Sequence, residues 1–306
     1  GRGPTVSGPS SWNNDVGLPL TLLAAGPGDR TVVAEIGTGG PGEIRVLSEI
    51  ARPDLSLITA VGRAHLGAFG SVAAIATEKA SIAAPMDPAA PVVASVDAPH
   101  LVDRLAGRSH VVWYGRGAAG DDRPLAVRLL DSGEDADGWW CAVDRGRGRE
   151  TFRLRLPGEH NAHNAAGAIA VAGALGVDDA ALHEGLAAAE PPAMPLVRRE
   201  VGGITVLDDS WNASPESMVA ALRTFDRASR DAAAGGGRRV LVLGDMLELG
   251  PDAPRLHREV GELVAELDLA ARVDALVLVG RHAPLIGAGR HLAARALCVP
   301  RLDASV

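Results

Sequence analysis

Lysine is almost missing from this chain. Of 306 residues, 30 are Lys or Arg, and only Lys79 is a lysine. A guanidinium stays protonated, whereas an amine can give up its proton when buried and act as a nucleophile. An amine also takes up carbon dioxide, and the resulting carbamate is an anionic oxygen ligand. Lys79 is therefore the first candidate for chemistry, and composition alone leaves drift in an arginine-rich chain beside that reading. Aromatic residues are scarce at 3 %, so cores within the 47 % of apolar residues must be built from Ala, Val, Leu and Ile. The two cysteines, Cys141 and Cys298, lie far apart, which fits a reducing compartment and excludes a cysteine metal-site spacing. No signal peptide, membrane span or run of like charge is legible. A net charge of −8 argues against a nucleic-acid surface. The expectation is a soluble, cytoplasmic protein with no nucleic-acid or membrane partner.

The length suggests about two domains. Short β-rich runs alternate with Ala-rich helical stretches: strand Thr31–Ile36, helix Glu43–Ala51, strand Leu55–Ala60, helix Val72–Ala84, strand Pro91–Val96, helix His100–Ala106 and strand His110–Tyr114. This alternation predicts a mostly parallel sheet covered on both faces. From Gly115 to Arg155 the text is rich in Gly, Asp and Arg. It predicts antiparallel edge strands at Leu125–Leu130, Trp139–Val143 and Thr151–Leu156, with turns at Asp131–Gly138 and Arg145–Arg149. The tandem Trp139–Trp140 reads as edge-strand packing.

Helices Asn161–Gly176 and Asp178–Ala189 follow, and Glu190–Pro195, with three prolines, reads as a linker. The alternation then restarts: strand Ile204–Leu207, helix Pro215–Ala228, a flexible loop Ala232–Gly237, strand Arg238–Leu243, helix Arg255–Leu269, strand Ala275–Val279 and helix His282–Leu292. The fold class is α/β, with a first domain over residues 1–190 and a Rossmann-like second domain over 196–306.

Ligands of parallel α/β sheets sit beyond the carboxyl ends of the strands. Glu35, at the end of the first predicted strand, His65, in the loop after the second, and Lys79, in the helix that Ser71 would cap, fall in that zone. A carboxylate, an imidazole and a carbamylated lysine would together hold one or two divalent cations, and magnesium prefers such oxygen ligands shared with substrate phosphates. Singly, a strand-end Glu is usually solvated and a loop His structural. The asparagines at positions 13, 14, 161, 164 and 212 read by themselves as helix caps and turn formers.

Longer runs are more specific. They are SWNNDVGLPLTLL at Ser11–Leu23, GRAHLGAFGSVAAIATEKASI at Gly62–Ile82, LPGEHNAHNAAGAIA at Leu156–Ala170, VLDDSWNASPESM at Val206–Met218 and LVLGDMLELG at Leu241–Gly250. In this order and spacing the chain resembles the Mur ligases of peptidoglycan biosynthesis. It looks most like the branch that adds D-alanyl-D-alanine to a UDP-muramoyl-tripeptide. The resemblance covers nearly the whole chain. It implies a Mur-ligase central domain, with a mostly parallel sheet and an antiparallel edge, followed by a Rossmann-like C-terminal domain.

It also implies an ATP- and Mg2+-dependent activity, in which ATP phosphorylates a carboxylate and an amine attacks the acyl phosphate. By the same resemblance Glu35 and His65 bind magnesium, and Lys79 is carbamylated by CO2 and completes the metal and catalytic set. Asn161 and Asn164 lie near the adenine, Arg198 reaches toward the terminal phosphate, and Asp209 contacts the nucleotide from the last domain. Asn13 and Asn14 lie on the substrate side, and Asn212 with the Asp245–Glu248 loop lies on the side of the amino acceptor. The linker would let the last domain close and exclude water.

The chain departs from this pattern in places. It has no G-x-x-x-x-G-K-[ST] phosphate loop, because its one lysine is Lys79. The UDP-binding domain and a late K-G-S segment are also missing. Gly67 stands where an acidic residue often follows A-H-L, and Trp211 and Ser214 replace the usual Tyr and Asn. Three explanations stand: a fragment of a longer ligase, one part of a split enzyme with a separate P-loop-containing subunit, or a relative without ATP hydrolysis. A natural-product amide ligase with a different acceptor is a further alternative. Each missing charge-assisted phosphate contact is worth roughly 1.5–3 kcal/mol, so the chain alone is expected to ligate poorly.

Overall fold

Two α/β units make up the chain: residues 1–62 with 71–192, and residues 63–70 with 193–306. The computed structural model describes residues 3–9, 11–118, 122–190, 197–229, 237–267, 269, 273–288 and 296–299.

In the first unit, β1 (Thr5–Ser7) leads through α1 (Gly17–Leu23) to β2 (Thr31–Val33), and the two strands pair in parallel as a sheet of their own. The predicted first strand is thus shorter than expected and lies outside the main sheet. Next come α2 (Glu43–Ala51) and β3 (Ser56–Ile58). Helix α3 (Leu66–Phe69) lies in the 63–70 segment of the second unit. The first unit resumes with α4 (Val72–Ala80), which runs into a 3-10 turn at Ser81–Ala83, then β4 (Val92–Ser95), α5 (Leu101–Leu105) and β5 (Val111–Gly115). Three strands, β6 (Val127–Asp135), β7 (Gly138–Asp144) and β8 (Arg149–Leu154), precede α6 (Glu159–Ala174) and α7 (Asp179–Ala188).

The main sheet has the order β3-β4-β5-β6-β7-β8. Its strands are parallel from β3 to β6 and antiparallel from β6 to β8, the expected edge extension. Two local expectations are corrected. Residues 131–135 were expected in a turn, but β6 pairs with β7 as far as Asp135 opposite Gly138, leaving Ala136 and Asp137 as the turn. An antiparallel strand with one solvated face tolerates such polar residues. Trp139 and Trp140 lie on β7, which is bonded on both sides, so the edge strand is β8. The Arg149 guanidinium lies over the Trp140 ring, 5.9 Å from its centroid.

Small residues set the packing, as the low aromatic content predicts. Ala162, Ala165, Ala166 and Ala170 of α6 are buried in the cluster that holds Tyr114, Phe152 and Val143. A Cβ on Gly167 would stand 2.8 Å from Tyr114 Cζ, so glycine lets the helix close onto that ring.

The second unit opens with a hairpin of β9 (Val197–Val201) and β10 (Ile204–Asp208). Gly202 and Gly203, at φ 57° and 80°, supply the left-handed pair that a two-residue turn of this type requires. Strand β10 was expected to start a parallel alternation, and it pairs with β9 instead because the glycine turn brings them together. Helix α8 (Pro215–Ala228) begins at Ser214, whose capping box with Ser217 accounts for a serine there. A parallel sheet of β11 (Val240–Gly244), β12 (Ala275–Val279) and β13 (Ala296–Val299) is joined by α9 (Ala253–Glu266). Leu222, Met246, Leu256, Val264, Leu276 and Ile286 are buried there. The helix expected at 282–292 is a 3-10 turn over Ala283–Ala288, and 289–292 lie outside the described residues. Most of the expected linker and of the loop at 232–237 also lies outside them.

Candidate metal and nucleotide site

Lys79 stands in the last turn of α4, whose first turn is capped, as predicted, by Ser71 Oγ accepting the Ala74 N–H at 3.1 Å. The buried neighbour Glu78 faces α2. Its carboxylate accepts the N–H groups of Gly42 at 2.7 Å and Ile44 at 2.8 Å. These are unpaired donors at a helix N-terminus, where negative charge is favoured. Glu78 thereby pins α4 to α2 and sets the rotation at which Lys79 leaves the helix. Burial lowers the Lys79 pKa, and the negative charge of Glu35 opposes part of that lowering. An amine with a lowered pKa has more of the neutral form, and the neutral form combines with carbon dioxide.

Glu35 lies two residues beyond β2 and is exposed. Asn13 Nδ2 donates to Glu35 Oε1 at 2.8 Å, while the Asn13 carbonyl accepts the Gly37 N–H at 2.8 Å. Asn13, expected on the substrate side, therefore holds the carboxylate of Glu35. Asn14 does what asparagine chemistry alone predicts: its Oδ1 accepts the Gly17 N–H at 2.8 Å where α1 begins.

Asn161 and Asn164 lie in the first turns of α6, with Asn161 Nδ2 donating to the Pro157 carbonyl at 2.8 Å. Between them, His163 turns to the ends of β4 and β5. Its Nε2 is 3.1 Å from Ser95 Oγ and 3.2 Å from Asp97 Oδ2. Asp97 also accepts the N–H groups of Arg116 at 2.7 Å and Gly117 at 2.8 Å. Burial works to raise the Asp97 pKa, but the bonds from His163, Arg116 and Gly117 outweigh it and hold the carboxyl below its usual range. Sequence reasoning missed Ser95, Asp97 and His163, although the second histidine of H-N-A-H-N was a usable signal. It also missed Glu78, which sits one helical turn after the buried Ile75.

In the second unit, His65 is left-handed at φ 59° and its Nδ1 pairs with the Glu248 carboxylate. The segment around it is fastened at both ends. Arg63 donates from Nε to Glu216 at 2.8 Å and from Nη1 to Glu259 at 2.6 Å. The Gly67 N–H donates to the Glu248 carbonyl at 2.8 Å.

Asp245 accepts three backbone N–H groups, from Arg281 at 2.8 Å, His282 at 2.8 Å and Ala283 at 2.7 Å. Burial again works to raise its pKa and those bonds hold it low. Its carboxylate is thus committed to capping the Ala283–Ala288 turn. Asn212 Oδ1 accepts the Ala213 N–H at 2.8 Å, and Asp209 follows β10. Arg198 stands on β9 opposite Leu207, with its side chain outside the described residues.

Glu35 Oε2 and His65 Nε2 have no hydrogen-bond partner among the described residues, and Lys79 is partly buried with a lowered pKa. The carboxylate of Glu35 and the oxygens of a carbamylated Lys79 are the hard donors that magnesium takes, so those two fit, while the His65 imidazole is a softer donor more usual on transition metals. Glu35 and Lys79 belong to the first unit and His65 to the second. Among the described residues no three His, Cys, Asp and Glu side chains gather as a metal cluster, and the implied set counts a lysine in place of one of them. No helix among the described residues is long and apolar enough to cross a membrane.

Comparison with known proteins gives the family. Residues 4–172 match the Mur ligase middle domain, and residues 194–301 match the Mur ligase glutamate ligase domain. The chain is 31 % identical over 281 residues to the UDP-N-acetylmuramoyl-tripeptide–D-alanyl-D-alanine ligase of Bacillus subtilis, covering 91 % of this chain and 57 % of that protein. It is 30 % identical over 310 residues to the Escherichia coli protein of the same name, covering 98 % and 65 %. The crystal structure of MurF from Acinetobacter baumannii superposes with a TM-score of 0.81 at 27 % identity, covering 97 % of this chain and 62 % of that one. The chain belongs to the Mur ligase family, with a MurF-like fold of middle and C-terminal domains. It spans about three-fifths of the length of these relatives.

Proposed function

We propose that this chain is part of a ligase that uses ATP to join a UDP-muramoyl-tripeptide to D-alanyl-D-alanine. The observation that carries the reading is the sole lysine, half-buried and with a lowered pKa beside the charge of Glu35, on an α4 helix pinned by Glu78. The names of the relatives support it. A substrate carboxylate oxygen attacks the γ-phosphorus of ATP, giving an acyl phosphate and ADP. The amine nitrogen then attacks the acyl carbon, phosphate leaves with the bonding pair, and the amine releases a proton.

Glu35 and carbamylated Lys79 in the first unit, and His65 in the second, are each residues that would hold Mg2+, and the metal would supply charge neutralisation on the phosphates. Asn161 and Asn164 take the adenine side, with Arg198 and Asp209 toward the phosphates. Asn13 orients Glu35, and Asn14 and Asn212 shape the neighbouring turns. The 306 residues hold no second lysine, so the phosphate-loop lysine comes from elsewhere, on the same polypeptide or on a P-loop partner. ATP and UDP-linked substrates place the reaction in the cytoplasm.

Trp211, 68 % exposed where the family has tyrosine, favours a second reading, the same chemistry with a different acceptor amine. Mass spectrometry decides. With a phosphate-loop domain supplied, the expected product is the tripeptide plus D-alanyl-D-alanine less one water, with one ADP per bond. Coupling confined to other amines supports the second reading. No ATP-dependent coupling with any amine overturns both.

A further inference from the structure

We infer that Glu248 is the positioning residue of His65, accepting a hydrogen bond from Nδ1–H and so leaving Nε2 as the imidazole's unprotonated, ligand-bearing atom. The metal role of His65 rests on the function proposed above, but the tautomer does not.

A neutral imidazole has one donor and one acceptor nitrogen, and the hydrogen bond at one decides the other. An ionised carboxylate only accepts. With Glu248 Oε2 against Nδ1, the neutral ring must carry its proton on Nδ1. His65 Nε2 has no partner among the described residues, so its lone pair is available. Metal-binding histidines recur in this arrangement, the second nitrogen donating to a carboxylate, and loss of that partner costs about 10–100-fold in metal affinity.

The backbone is built to hold the pair. His65 and Glu248 are both left-handed, at φ 59° and 61°, a conformation uncommon for residues other than glycine. The Gly67 N–H bonds the Glu248 carbonyl at 2.8 Å. A Cβ on Gly67 would stand 2.7 Å from Gly250 N, so only glycine permits the approach. Arg63 ties the start of the segment to Glu216 and Glu259. Position 67 carries no carboxylate of its own, and Glu248 supplies the acidic partner. This places Glu248 behind the imidazole.

Long-range 1H–15N correlation NMR of His65 in the 306-residue chain, above the ordinary histidine pKa of about 6.5, tests the inference. The wild type should show the Nδ1–H tautomer. Glu248→Gln should keep it, because the amide oxygen still accepts. Glu248→Gly suits the left-handed backbone and should shift the ring toward Nε2–H. Unchanged amide shifts outside residues 63–70 and 244–250 verify the fold. Mn2+ titration should broaden His65, and Glu248→Gly should need about 10–100-fold more metal for the same broadening. An Nε2–H tautomer in the wild type, or no change in Glu248→Gly, overturns the inference. A tautomer that switches while Mn2+ never broadens His65 upholds the positioning and overturns the metal reading.

Discussion

Glu78 accepts the backbone N–H of Ile44 at 2.8 Å across 34 positions of sequence. The residue before the only lysine is thus a buried cap on another helix. Glu78→Ala would leave the Gly42 and Ile44 donors unpaired in a part-buried site. Such groups cost about 1–3 kcal/mol each, so urea unfolding of the first unit should show a loss of about 3 kcal/mol. A loss under about 0.5 kcal/mol, the range of ordinary surface changes, would refute the pinning role.

Lys79 is the only side-chain amine, which makes its chemistry directly readable. In 13C-bicarbonate at mildly alkaline pH, a side-chain carbamate resonance is expected that Lys79→Arg removes. The same variant should abolish coupling although the charge is kept. The lowered pKa also gives a sign for stability. Between the folded pKa and the model-peptide value of about 10.4, the unfolded chain binds more protons, so the lysine's contribution improves as pH rises through that window. Equal bicarbonate spectra for wild type and Lys79→Arg would exclude the carbamate.

Gly67→Ala should displace the His65 segment, because the new Cβ meets Gly250 N at 2.7 Å and the Glu248 carbonyl at 2.8 Å. Overpacking of this kind costs about 1–3 kcal/mol. Denaturant unfolding and the Gly67 amide shift would show it. The acidic residue often found at this place in the family should be worse tolerated still.

His257 is fully buried, with Nδ1 donating to the Ala253 carbonyl at 2.7 Å and Nε2 accepting the Met246 N–H at 3.0 Å. That pattern requires the neutral ring, and burial lowers its pKa. As pH falls below about 6.5, the unfolded chain protonates first, so the second unit should lose stability until the folded pKa is reached. His257→Leu should flatten this slope and lower stability at neutral pH by about 1–3 kcal/mol, because the Met246 N–H loses its acceptor. Urea midpoints from about pH 5 to 7 measure both, and an unchanged slope would contradict the assignment.

Helices Glu43–Ala51 and Pro215–Ala228 and strand Ala275–Val279 were legible to the residue. Their limits follow from local rules: periodic apolar positions, a proline at a helix start and short β-branched runs. The capping role of Ser71 and the small-residue core were local facts too. The family motifs were equally plain in the text, and with them the suspicion attached to Lys79, Glu35 and His65. Other features depended on partners far away in the chain. Strand β2 pairs with β1 apart from the main sheet, β7 became an inner strand, and Asp245 went to cap a turn 36 to 38 residues later. His65 found its carboxylate 183 positions away. Neither residue's neighbourhood in sequence marks that pairing. It exists because the folded backbone brings Gly67 against Gly250 and leaves two left-handed residues facing each other.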